Sequence, residues 1–75
     1  MNLYEAKRDV VYIVKDINIE DVSAKIRIME LGILPNTQIK IFSKSLLKKT
    51  FLVIFNSSVF SIDSTVAKSI EVYNG

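Results

Sequence analysis

The chain has 75 residues, ten Lys/Arg against eight Asp/Glu for a formal net charge of +2, and neither Cys nor His. Such a length is expected to make one domain, 1–75, with a single small core. The missing thiols and imidazoles remove disulfides, thiolate nucleophiles, the usual acid–base switch and the commonest metal ligand, while a hydrophobic fraction of 49% excludes a disordered tail.

Residues 9–17, Asp-Val-Val-Tyr-Ile-Val-Lys-Asp-Ile, are rich in β-branched and aromatic types and read as a strand. Alternation puts Val11 and Ile13 on one face, with Val10, Tyr12 and Val14 on the other. The preceding residues 3–7 are too short to assign beyond a helical turn. From 19 to 31 the period changes. Val22, Ile26, Met29 and Ile33 follow helical spacing as the expected core stripe, widened by Ala24, Ile28 and Leu31. Lys25, Arg27 and Glu30 then lie towards solvent. Asn18 is the expected N-cap, with Asp21 three residues on, and Gly32 suits a left-handed position after the last turn.

Leu34-Pro35-Asn36-Thr37 reads as a β-turn, in which Pro35 presets φ and Asn36 tolerates the positive φ of a type II turn. Strands are expected at 38–43, 50–56 and 59–62, with Asn56-Ser57-Ser58 turning between the last two. A helical turn around 63–68 precedes a final strand over 69–73. The fold class is therefore mainly β: about five short strands in a bent sheet closing into a barrel, with one α-helix between strands 1 and 2 lying over an open end.

No segment is long and apolar enough to span a bilayer, since the longest apolar run is Phe51 to Phe55. The N-terminus lacks the basic and apolar regions of an export signal. A cytoplasmic protein is expected. Charge is unevenly spread: residues 31–62 hold Lys40, Lys44, Lys48 and Lys49 and no acid, whereas each flank carries a net −1. A basic middle favours an anionic partner, or serves as a solvated, lysine-guarded β-surface.

Arg27-Ile28-Met29-Glu30-Leu31-Gly32-Ile33-Leu34-Pro35-Asn36-Thr37, continuing through Gln38-Ile39-Lys40-Ile41, closely resembles the signature of the FeoA family (ferrous iron transport protein A). Phe60-Ser61-Ile62, Ala67 and Ile70-Glu71-Val72 resemble its closing pattern. The family usually has Gly where Asn36 stands, often Gly near Asn56, and often an Ala-Pro-Leu-Gly-like loop where this chain has Lys44-Ser45-Leu46-Leu47-Lys48-Lys49. The resemblance implies an SH3-like barrel in the bacterial cytosol. It further implies an accessory or regulatory role towards FeoB, the membrane ferrous iron transporter with a cytosolic GTPase domain, recruited to the inner membrane face by that partner. Related barrels occur as adaptor domains at the C-termini of iron-dependent repressors.

The residues themselves give little chemistry. Glu20-Asp21 is the only adjacent carboxylate pair, and adjacent helical positions face apart, so no metal or other cofactor is expected. A serine nucleophile lacks a histidine base, and no phosphate-cradling glycine motif occurs. The chain reads as a non-enzyme. Leu46 and Leu47 between lysines are the most suggestive protein-contact pair, unless one leucine folds back over the barrel end. Lys48, Lys49, Lys40, Phe42, Lys25 and Arg27 complete the expected contact surface, on a monomer or weak dimer. Nucleic acid is the alternative partner, because Lys40, Lys44, Lys48 and Lys49 interleave with Phe42, Phe51, Phe55 and Phe60. Against it stand only two Arg and a Phe51/Phe55 pair spaced as core residues.

Overall fold

The computed structural model describes all residues, Met1–Gly75. A 3-10 turn, Leu3–Glu5, precedes β1 (Val11–Ile17), α1 (Val22–Glu30), β2 (Gln38–Lys44), β3 (Thr50–Phe55), β4 (Ser58–Asp63), α2 (Ser64–Ser69) and β5 (Ile70–Asn74). All strand pairs are antiparallel, in the order β4-β3-β2-β1-β5. The accessible surface is 4767 Å², close to the roughly 4,600 Å² that mass alone predicts for a compact chain.

The sheet curls because two strands carry bulges. In β1 the register with β5 shifts between Val14 and Asp16, and in β2 the register with β3 shifts between Ile41 and Ser43. An extra residue bends a strand and increases its twist. In β1 it also changes which parity faces inward: Tyr12 and Val14 are buried, and then Ile17. The core is all apolar, running from Leu3 and Ala6 through Val14, Ile39, Ile41, Phe51 and Val53 to Ile70 and Val72.

Two turns follow from their residues. Asn36 has φ 75°, and the Thr37 N–H donates to the Leu34 carbonyl at 3.0 Å, completing the expected type II turn. Asn56 and Ser57 have φ 52° and 62°, the left-handed pair of a two-residue type I′ hairpin between β3 and β4. The end of α1 is a Schellman motif. Gly32, at φ 107°, donates to Met29 O at 3.0 Å, and Ile33 donates to Ile28 O at 3.4 Å. The Thr37 hydroxyl then donates to Gly32 O and accepts from the Leu34 N–H, each at 3.2 Å. The Gly32-to-Thr37 part of the family signature is thus one hydrogen-bonded corner.

The helix expected to cover an open end does not do so. α1 gives the core only Ile28, whereas Val22, Ile26, Met29 and Leu31 are exposed. Cover over the Phe51 end of the barrel comes from the 3-10 turn and α2. Leu3, Ala6 and Ala67 are buried, the Tyr4 ring stacks on Phe51 at 5.4 Å, and Lys68 Nζ lies 4.7 Å from the Tyr4 ring centre. α1 also starts later than expected. Its cap is Asp21, whose carboxylate accepts from Ser23 and Ala24 at 2.9 and 3.2 Å. Asn18 is occupied elsewhere, its N–H donating to Ser69 O at 2.7 Å beyond the β1–β5 ladder.

Candidate functional site

The connection between β2 and β3 is short and internally bonded. Lys48 N donates to Ser45 O at 2.9 Å, and Ser45 N donates to Thr50 O at 2.9 Å. The Ser45 hydroxyl accepts from the Lys49 and Thr50 N–H groups at 3.0 and 3.1 Å. Lys48 takes the left-handed position, φ 55°. This wiring places Leu46 and Leu47 at the two central positions of the turn, 96% and 72% exposed. Neither folds back over the barrel. Two leucines are thus held in water by a ring of hydrogen bonds, with exposed Lys48 and Lys49 following them.

Phe42 lies at the bulge of β2, between Ile41 opposite Val53 and Ser43 opposite Leu52, and is 51% exposed. Lys40 is half-buried on the outer face of the sheet, in a cross-strand row with Val11, Ile54 and Val59. Val11, Lys40 and Ile54 of that row line an open groove of about 580 Å³, closed at its end by the Asn36–Thr37 and Asn56–Ser57 turns. Lys25 and Arg27 are not beside the leucines. They lie on α1, in the segment joining the Ile17 end of β1 to the Gln38 end of β2, whereas the leucine loop leaves β2 at Lys44. The expected single basic rim is therefore divided between the two ends of the β2–β3 hairpin.

Lys44 belongs to the fold. Its Nζ donates to the Ala6 carbonyl at 2.7 Å and to Tyr4 O at 3.4 Å, and lies 5.3 Å from the Phe51 ring centre. Burial, and secondarily the charge of Lys48, hold its pKa below the ordinary 10.5. Phe51 and Phe55 are buried, and Phe60 stacks on Phe55 at 4.6 Å. One aromatic ring, Phe42, and three outward lysines remain of the interleaved pattern that would serve nucleic acid.

Sequence reasoning missed one exposed surface. Val22, Ile26 and Met29 form a stripe that is 68%, 49% and 37% exposed. They sit roughly 100–160° around the helix from Ile28. The Schellman corner carries the missed signal, because the residue three before its cap packs on the residue two after it, and that pair is Ile28 and Ile33. No three acidic side chains come close enough together to hold a metal ion.

A family model for the FeoA domain matches residues 1–74. The chain belongs to the FeoA family. Among solved structures, the FeoA protein of Chlorobium tepidum superposes with a TM-score of 0.90 at 23% identity, covering 99% of this chain and 70% of that one. FeoA of Stenotrophomonas maltophilia, solved with zinc and described as a procaryotic SH3 domain protein, gives 0.85 at 20% identity, covering 97% and 89%. A manganese-dependent transcriptional repressor gives 0.88 at 16% identity, covering 99% of this chain and 36% of its own. These likenesses carry the SH3-like fold, and they place the same barrel within repressor chains. No match is found among curated proteins.

Proposed function

We propose that this FeoA-family barrel is a non-enzymatic accessory of ferrous iron uptake, acting in the cytoplasm by docking on the cytosolic domain of a FeoB-type transporter. The Stenotrophomonas relative, described as a candidate activating factor for ferrous iron transport, supports the iron-uptake role. The observation that carries the docking surface is the leucine pair, exposed at the tip of a hydrogen-bonded loop and followed by Lys48 and Lys49. An ordered apolar tip loses little conformational entropy on binding, and apolar anchors within a polar rim are how interfaces concentrate their energy. Phe42 and Lys40 extend the surface along β2. Lys25 and Arg27 form a separate patch on α1 that a large partner reaches only by spanning the hairpin.

The test is a paired measurement on the variant carrying Leu46→Ser and Leu47→Ser. Its unfolding free energy, read from a denaturant melt, should fall by no more than a surface change allows, about 0.5 kcal/mol for each substitution. Its affinity for the FeoB cytosolic domain should weaken by about 2 kcal/mol or more, as hot-spot truncations do. A variant that folds and binds like the parent would move the interface to the Val22–Ile26–Met29 stripe.

A further inference from the structure

We infer that β4 is a self-pairing edge, through which two copies of this chain join as an antiparallel, two-fold dimer. The two outer strands of the sheet differ. β5 is partly covered, since Val72 N donates to Met1 O at 2.8 Å and Asn2 bridges Glu71. β4 has β3 on one side and no strand or bridging residue on the other.

The register shows which backbone groups face outward. The two-residue type I′ turn makes Phe55 and Ser58 the closing hydrogen-bonded pair. Along the unbroken ladder the hydrogen-bonded pairs therefore continue at Val53–Phe60 and Phe51–Ile62. The N–H and C=O groups of Val59 and Ser61 then point away from β3, towards the free edge. Val59 is 54% exposed, and Ser58 and Ser61 are exposed with it. None of the backbone hydrogen bonds outside the regular elements uses these groups.

The occupant this edge fits is itself. With the two-fold axis at Phe60, Val59 of one copy faces Ser61 of the other. Both N–H and both C=O groups of each pair are then satisfied, making four hydrogen bonds across the axis. The two Phe60 residues meet as a non-hydrogen-bonded pair, the closer type, where aromatic contact adds to pairing. β4 carries none of the devices that keep edges apart: no lysine, no proline and no bulge, with Asp63 at its end as the only charge. An identical strand therefore meets no repulsion over the paired length. The symmetry uses up the one uncovered edge, so the assembly closes at two.

Sedimentation velocity on the full chain, across a concentration series, reads the outcome. The parent should pass from monomer to dimer as concentration rises, with no larger species. Ser61→Pro removes an outward N–H while leaving the bonds to β3 intact, a position where edge strands accept proline. It should raise the dimer dissociation constant about tenfold or more, for two lost hydrogen bonds, without changing the far-UV spectrum. Should that variant fold poorly, Val59→Lys provides the same reading through charge repulsion at the axis. A mixed sample of labelled and unlabelled chains should show a contact between the two Phe60 α-protons. A parent that stays monomeric to millimolar concentration, or a dimer that survives in the folded variants, overturns the inference.

Discussion

Asn36 shows how little room a single residue has in the signature corner. At φ 75° Asn36 lies in the left-handed region, which asparagine enters more readily than most L-residues and glycine more freely still. Asn36→Gly should be neutral or stabilising by up to about 1 kcal/mol, and Asn36→Val clearly destabilising, because β-branching resists that region. Thermal melts of the three proteins check this, and equal midpoints would contradict the turn. Gly32 is stricter. Its φ of 107° strains any side chain, and an added Cβ would meet Asn56 Nδ2 at 2.9 Å. Both positions were legible because turn chemistry is local. Lys44 was not, because its partners, Tyr4 and Ala6, lie 40 and 38 residues away. Its lowered pKa means the unfolded chain binds this proton more tightly between the folded pKa and 10.5. Over that window Lys44 makes the fold more stable as pH rises. Denaturant melts at neutral and alkaline pH should show that rise, and Lys44→Gln should reduce it.

At the scale of the element, α1 carries the lesson about sequence patterns. Periodicity located the helix and its stop, but the strongest stripe, Val22–Ile26–Met29, faces water. Periodicity names a face without saying what lies opposite it. The Ile28–Ile33 closure, together with Ala24, turns the weaker side inward. Ile28→Ala should therefore cost about 2 kcal/mol or more, as buried truncations do, while Ile26→Ala should stay within about 0.5 kcal/mol. Equal losses in urea melts would put the helix in the wrong rotation. The same contrast explains the start of α1. Asn18 has a capping side chain, but its backbone is drawn into the sheet by Ser69, which leaves the cap to Asp21.

In the whole molecule, strand order was readable from β-branched runs and turns, whereas the two bulges and the cover over the Phe51 end depend on contacts between distant segments. β3 is paired on both sides, by β2 and β4, and Phe51, Val53 and Phe55 are buried. Its amides should exchange among the slowest in the domain; rapid exchange at 51–55 would contradict the topology. The candidate surface was legible as residue types, two leucines among lysines. Its division between two ends of the hairpin was not, because only the fold decides which end of β2 each segment meets. Docking through the leucine loop is the central claim. Its most direct test is a titration of the isotope-labelled chain with the unlabelled FeoB cytosolic domain, followed amide by amide. Shifts and broadening should centre on Ser45–Lys49 and extend to Phe42 and Lys40. Changes confined to α1, with Leu46 and Leu47 unmoved at saturation, would contradict it.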